Sequence, residues 1–433
     1  MTETIVLAVF AAALFLCIGF DVSILIALGF GFCLFFGYGL YHGHNAREMF
    51  SMAFSGIKTV KNILITFVLI GVITAYWRAC GTIPYIVYHA MAVCDPRFMV
   101  LVTFLLCGLV SFLTGTSFGT AATMGVICAS IATSMGVPLV YTGGAVLAGS
   151  YFGDRCSPMS TSALLVATLT GTDLYRNITN MVKTSIVPFA AACIVYALMG
   201  MGIESTYDIT TLRALFSDNF MLSHVTILPA VVIVILSCFR VNVKITMSIS
   251  IVCAAVIALF VQKLSGAELL SIALGGYQPT DGRIAQLLNG GGVLSMVRVF
   301  CIVCISSCYS GMFNGTGMLN GVQKSLCKIA KAATPFGGVL VTSVLTGIVS
   351  CNQTLTIMLT QQLCKPVVED EEEMASHLEN TAAVIAPLIP WSIAGAVPIA
   401  TVGAPTLSLL AACYLYFLPI WNLITAFMKK RRK

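Results

Sequence analysis

The chain has 433 residues, of which 58% are hydrophobic and only 9% charged, with 23 Lys and Arg against 17 Asp and Glu for a net charge of +6. A soluble domain carries about 25% charge and 45–50% apolar residues, so this composition excludes a water-soluble globule, and the mean hydropathy of +0.96 agrees. The apolar runs are long and do not alternate, which excludes a membrane barrel and predicts an all-α polytopic membrane protein of about ten to twelve transmembrane segments.

In chain order, apolar runs at 5–20 and 22–40 form a tight hairpin or one long kinked span about Asp21. The opening Met1-Thr-Glu-Thr has no basic region, so no cleaved leader is expected. Residues 41–61 are mostly polar, with Arg47, Lys58 and Lys61, and suit an amphipathic or surface helix. A span at 62–76 ends at Trp77 and Arg78, an interface anchor. Pro84 and Pro96 interrupt 81–97, and 98–113 spans. Thr114-Gly-Thr-Ser-Phe-Gly-Thr120 then breaks the run before small residues at 121–135, which suit close helix packing. The run 137–147 leads into Tyr151-Phe-Gly-Asp-Arg-Cys-Ser-Pro-Met-Ser160, with 163–169 and a span at 186–198 beyond it.

A polar connection at 201–221 precedes spans at 222–238 and 245–261, separated by Arg240 and Lys244. Residues 263–291 read as a loop with at most one short helix. The span 293–309 contains Arg298, a glycine-rich break follows at 311–317, and Lys324, Lys328 and Lys331 form a basic patch. Residues 336–349 span up to Ser350-Cys-Asn-Gln-Thr354, and 355–363 continues. The acidic run from Glu369 to Glu373 is expected in water. A further unusual stretch at 377–398 precedes the last span, 407–427, and Lys429-Lys-Arg-Arg-Lys433 predicts a cytoplasmic C-terminus. The expected organisation is an N-terminal half (1–200), a connecting region (201–291) and a C-terminal half (292–433), with no long polar linker between them. The 17 cysteines lie mostly inside apolar runs, and Cys301, Cys304 and Cys308 share a helical face with no histidine near, so they read as packing rather than disulfides or a metal site.

The stretch 151–160 is the focus. Gly153 and Pro158 argue against a continuous helix there, and non-helical backbone in a membrane survives only where protein or water satisfies it. The halves also echo each other. Leu113-Thr-Gly115 and Leu345-Thr-Gly347 each close an apolar helix and run into polar residues, with a charged, proline-bearing segment further on. Paired helix breaks point to a secondary transporter of inverted repeats, with its site between them.

Gly149-Ser-Tyr-Phe-Gly-Asp-Arg-Cys-Ser-Pro-Met-Ser160, Thr114-Gly-Thr-Ser-Phe-Gly-Thr120 and Leu378-Glu-Asn-Thr-Ala-Ala-Val-Ile-Ala-Pro-Leu-Ile-Pro-Trp391 together resemble the NhaC family of sodium/proton antiporters, over residues 5–427. The resemblance implies a proton- or sodium-linked antiporter in the inner membrane, in a family that also includes exchangers of organic ions such as malate for lactate. The family commonly has an acid where this chain has Thr161, and an acidic pair where it has Glu379-Asn380. The headline expectation is exchange of protons for sodium, with cation- or proton-coupled movement of a small organic solute as the alternative. A non-transporting structural or receptor role ranks lower, since it leaves polar breaks in both halves unexplained.

Carboxylates inside a bilayer are costly and exchange a proton for a cation readily, so Asp154 and Glu379 are the expected carriers of H+ and, transiently, Na+. Two bland readings stay open beside this: Asp154 neutralising Arg155 or a lysine, and Glu379 marking a helix entrance with Asn380 as a cap. Thr116, Ser117, Thr120, Ser157, Ser160, Asn352, Gln353, Asn380 and Thr381 offer the oxygens and amides of a cation or solute pocket. Arg298 either binds a substrate carboxylate or, as favoured here, snorkels to an interface. Asp154, Asn352 and Glu379 are expected to converge in one cavity that Thr116 and Ser157 also line. No tightly bound cofactor and no nucleic acid are expected; the partners are membrane lipid and a small cation or organic solute, with a homodimer as an open option. A channel filter and a P-loop do not show in the sequence, and His42, His44, His89, His224 and His377 are too scattered for an enzyme site, which leaves an ion gradient as the energy source.

Overall fold

Backbone in lipid must satisfy its own hydrogen bonds, and all regular structure among the described residues is helical, apart from an isolated bridge between Tyr277 and Gly290. The computed structural model describes residues 2–19, 22–93, 95–203, 209–239, 241–318, 334–368 and 370–432. Asp21, Arg240, Glu369 and the patch of Lys324, Lys328 and Lys331 lie outside them, as do the side chains of the terminal basic run.

Among the described residues, four helices are long and apolar enough to cross a membrane: Pro96–Thr114, Ser117–Ser134, Leu174–Met201 and Val293–Phe313. Three bent pairs raise the number to seven if each is one span, among them Glu371–Leu388 with Ile393–Thr401, bent by 56°. The chain is thus a polytopic membrane protein of broken helices. Two stretches outside the long spans are helical because their ends are capped, the first where an amphipathic or surface helix was expected and the second where mostly loop was. Asn45 and Glu48 form a reciprocal capping box that starts Ala46–Thr59, and Ser265 with Glu268 does the same for Gly266–Gly275. The second was legible as Ser-x-x-Glu and was passed over among the surrounding glycines.

The helix Leu174–Met201 serves as a ruler, since its 28 residues span about 42 Å at 1.5 Å each. At its N-terminal end, Arg176 pairs with Glu372 at 2.7 Å and Gln361 reaches the Leu169 carbonyl at 3.5 Å. At its C-terminal end, Gly200 packs on the backbone of Arg97. A hairpin of helices Met99–Thr114 and Ser117–Ser134 is rooted at the second end. A hairpin of Pro335–Ser350 and Gln353–Cys364 is rooted at the first, its arms joined by Thr346 to Thr360 at 2.8 Å and Ser350 to Thr356 at 2.6 Å. The hairpins enter from opposite ends of the ruler.

Helix Leu139–Cys156 lies parallel to Met99–Thr114, and glycines let the two backbones touch. Ser111 donates to the Ser150 carbonyl at 2.5 Å. A Cβ on Gly149 would stand 2.5 Å from the Phe104 carbonyl oxygen, and one on Gly153 2.5 Å from the Phe112 amide nitrogen. Small residues at such a contact are the usual device of membrane helix packing. Gly149→Val must therefore force the helices apart, with an expected loss of about 1–3 kcal/mol read as a lower melting temperature of the detergent-solubilised protein. Gly37→Ala, where nothing lies within 4 Å of the added carbon, should leave it unchanged or higher. Equal melting temperatures for the two variants would contradict the close packing.

Candidate functional site

Each hairpin turns by the same backbone device. Helix Met99–Thr114 ends at Gly115, left-handed at φ 65°, and Thr116 then caps the next helix by accepting from the Gly119 amide at 3.2 Å. Helix Pro335–Ser350 ends at Cys351, left-handed at φ 53°, and Asn352 caps the next by accepting from the Thr354 amide at 2.9 Å. The equivalent positions are thus Gly115 with Cys351 and Thr116 with Asn352. The Leu-Thr-Gly echo marks the right two helices but is one turn out of register, because Gly347 is still helical, beneath Ile389.

Asp154 does not sit in a non-helical segment. Helix Leu139–Cys156 runs through Gly153, which is there for close approach, and the break falls at 157–160. Ser160 then caps Thr161–Thr170, accepting from the Ser162 and Ala163 amides at 3.2 Å each. Asp154 is 5% exposed, its Oδ1 has no hydrogen-bond partner among the described residues, and the Ser160 and Ser117 hydroxyls are its polar neighbours.

Arg155 turns away from it. Only 2% exposed, its guanidinium donates through Nε to the Glu379 carbonyl at 2.9 Å, through Nη1 to Ser185 at 2.6 Å and Tyr414 at 3.2 Å, and through Nη2 to Asn380 Oδ1 at 2.5 Å and Thr184 at 3.3 Å. Its hydrogen-bond partners are neutral groups, and among the described residues no ion pair within 4 Å joins it to Asp154 or Glu379. The neutralising partnership of Asp154 with Arg155 is not what the geometry shows.

The two hairpin tips and Asp154 border one cavity of about 550 Å³. Thr116, Ser117, Asn352 and Gln353 line it, as sequence analysis expected of them, together with Thr161, Thr66, Asn242 and Lys244. Thr161 and Asn242 are exposed, at its rim. The other expected residues are not among its lining. Glu379 is 0% exposed on the last turn of Glu371–Asn380, both carboxylate oxygens lack a hydrogen-bond partner among the described residues, and Arg155 and Asp154 are the charges that act on it. Asn380 is taken by Arg155 and, at 3.1 Å, by Thr184. Thr381 bonds Ser343 at 2.9 Å and the His377 carbonyl at 2.7 Å. Ser157 accepts from the Met159 amide at 3.2 Å, a turn contact, and Thr120 is buried 3.5 Å from Thr114. Gln353 also ties the second tip down, donating to the Ala383 carbonyl at 2.9 Å.

A smaller cavity of about 100 Å³ lies on the other face of helix Ile393–Thr401. The large cavity touches Ile393, Ala394 and Val397, and the small one Gly395, Ala396 and Ala400. Arg298 lines the small one with its side chain exposed, in keeping with the snorkelling reading. Sequence reasoning missed Thr66, Asn242 and Lys244. It treated Lys244 as a boundary between spans, and only the fold brings that boundary to the hairpin tips.

The chain matches the profile of the Na+/H+ antiporter family over residues 1–173 and 149–429. It is 27% identical over 393 residues to the Na+/H+ antiporter NhaC of Alkalihalophilus pseudofirmus, covering 88% of this chain and 85% of that one. It is 25% identical to the malate-2H+/Na+-lactate antiporter of Bacillus subtilis, covering 96% and 92%, and 25% identical to the arginine/ornithine antiporter ArcD of Halobacterium salinarum, covering 89% and 82%. These relatives are transporters, not enzymes.

Arg155→Lys keeps the charge but not the planar fork, so it must strand acceptors on more than one helix. With about 1–3 kcal/mol for each orphaned buried group, the variant should melt well below the parent in detergent. A melting temperature equal to the parent's would show that the fork is dispensable.

Proposed function

This chain belongs to the Na+/H+ antiporter family, and from that membership we propose that it is a secondary antiporter of the cytoplasmic membrane which exchanges protons for sodium at Asp154. One observation carries the reading. Asp154 is a nearly buried carboxylate with an unpartnered oxygen, on the wall of a cavity where two opposed hairpins end. A proton or a sodium ion can each neutralise it, but not both at once, and mutual exclusion at one carboxylate is sufficient for exchange. Thr116, Ser117, Thr161 and Asn352 border the same space and offer the neutral oxygens a hard cation prefers. Glu379, sealed beside Arg155, offsets that residue's fixed charge rather than meeting the cargo.

The orientation follows from charge. Lys244 and Thr66 share the large cavity with Thr161, the first residue of the helix that leads to the Arg176 end of the ruler. The final helix Cys413–Arg432 runs toward that same end, since Ala411 and Tyr414 meet Tyr196 and Ser185 in turn. Basic residues collect in the cytoplasm, so the large cavity faces the cytoplasm and the small one the outside. A space of about 550 Å³ is also of the size that takes a small organic molecule. That favours a second reading, shared by the names of two relatives, in which an organic solute moves in the exchange.

Asp154→Asn should abolish sodium-dependent proton movement in everted vesicles while the protein still elutes as a single folded species. Full flux in that variant would remove Asp154 from the mechanism. The two missing family acids should separate. Thr161→Asp places a carboxylate at the cavity rim and should tighten sodium binding, whereas Asn380→Asp places one on the Arg155 guanidinium and should leave the half-saturating sodium concentration unchanged.

A further inference from the structure

Helix Leu139–Cys156 runs from one cavity to the other. Asp154 lines the large cavity, and a Cβ on Gly143 would stand 2.5 Å from Ala404, which lines the small one. Positions 146, 150 and 154 follow one another at helical spacing and share a face. That face packs antiparallel on the start of helix Ser117–Ser134. Ser117 is a polar neighbour of Asp154, and a Cβ on Gly125 would stand 2.8 Å from Val146. Stepping from 154 to 146 on one helix matches stepping from 117 to 125 on the other, so Ser150 comes opposite Ala121. There a π-helical turn begins, Ala121–Gly125, after which the Val126 amide donates to the Ala121 carbonyl, five residues back. Such turns are frequent at functional sites, and one carbonyl is passed over where α-helical bonding resumes.

Ser150 is 0% exposed, and its hydroxyl, like Asp154 Oδ1, has no hydrogen-bond partner among the described residues. An unmade bond on a buried hydroxyl is costly. Hydroxyls on the facing helix avoid that cost by bonding their own backbone: Thr123 donates to the Gly119 carbonyl and Ser130 to the Val126 carbonyl, each at 2.8 Å. Ser150 makes no such bond, so packing does not account for a hydroxyl where alanine would fit. Cβ atoms four positions apart on a helix lie about 5–6 Å apart, a span that one ion bridges between two short side chains. We propose that Ser150 is a ligand of the transported cation. Sodium, having displaced the proton of Asp154, is held between Asp154 Oδ1 and Ser150 Oγ, with a carbonyl of the π turn as a further hard oxygen ligand. Ser150 stands behind the lining of the large cavity and on the way to the small one, so an ion at this position is enclosed midway through exchange. This rests on the antiport reading above and adds where the ion sits and what holds it besides Asp154.

The test titrates sodium against the melting temperature of the full-length protein in detergent, with potassium holding the ionic strength constant. In Ser150→Ala the half-saturating sodium concentration should rise roughly tenfold, the scale of one contact to a charge. The sodium-free variant should melt no lower than the parent, since alanine removes an orphaned hydroxyl. A merely structural serine would give the reverse pattern. Ser134→Ala removes a buried hydroxyl that is bonded, to the Ser130 carbonyl at 2.9 Å, and should leave sodium affinity unchanged. Ser150→Cys nearly keeps the volume but offers a soft ligand ill suited to a hard cation; it should weaken sodium binding as alanine does, and it carries the test if the alanine variant does not fold. Proton flux in everted vesicles should show the same shift in half-saturating sodium with its maximal rate nearly kept. Parent-like sodium affinity in Ser150→Ala, or failure of both Ser150 variants to fold, would overturn the proposal and leave the antiport reading standing. A parent protein that neither gains stability from sodium nor moves protons in response to it would overturn both.

Discussion

The guanidinium of Arg155 is the interaction on which the site geometry depends. It is a buried cation in a membrane protein, and an uncompensated charge there costs several kcal/mol. Its hydrogen-bond partners come from helices Leu174–Met201, Glu371–Asn380 and Cys413–Arg432, so three elements are fastened to the end of Leu139–Cys156 by one side chain. Successive helical residues diverge by about 100°. Fixing Arg155 toward those acceptors therefore aims Asp154, one position earlier, at the hairpin tips. The neutral character of the acceptors matters as well. Had Asn380 been an aspartate, Arg155 would be neutralised locally, and Glu379 would no longer be the carboxylate beside it.

Opposed hairpins explain why polar groups reach this depth at all. A continuous span offers lipid or protein no free backbone donors, whereas a helix that starts inside the membrane exposes several. Gly115 and Cys351 make the left-handed turns, at φ 65° and 53°. Glycine does so without strain, but a side-chain-bearing residue costs roughly 1–2 kcal/mol there. Cys351 is fully buried with Trp391 and Ile389 in one apolar cluster, and that packing offsets its backbone strain.

Sequence reasoning reached the class, the broken helices and five of the cavity's lining residues because those depend on local chemistry. Thr116, Ser117, Asn352 and Gln353 stand at breaks that glycine and polar residues announce within a few positions. The failures came where placement depends on a distant partner. Gly153 read as a helix breaker, yet it is a contact point for the Met99–Thr114 backbone. Glu379 and Asn380 were expected at the cavity because an acid in an apolar segment draws attention, but they lie outside its lining, since which way a helix turns its last residues is set by what it packs on, here Arg155. Ser157, Ser160 and Thr381 were recognised as hydroxyls without their backbone partners, which make them turn and cap residues. Lys244 shows the converse error. Its neighbours in sequence are a span boundary, while its neighbours in space are helix starts more than a hundred residues away on either side.

The same logic accounts for the thinness of the barrier between the two cavities. Helix Ile393–Thr401 presents Ile393, Ala394 and Val397 to one and Gly395, Ala396 and Ala400 to the other, so a single helix of small and medium side chains is the wall. It is held from both halves: Tyr151 donates to the Ala394 carbonyl at 2.8 Å, and the Ile393 amide donates to the Cys351 carbonyl at 2.9 Å. The first bond comes from the helix that carries Asp154 and the second from the tip of the opposite hairpin. The wall therefore cannot shift without altering the surroundings of Asp154 and the second tip together. If Asp154 binds the cargo as proposed, the binding group and the wall between the two cavities share the same few hydrogen bonds, which is the coupling an exchanger requires.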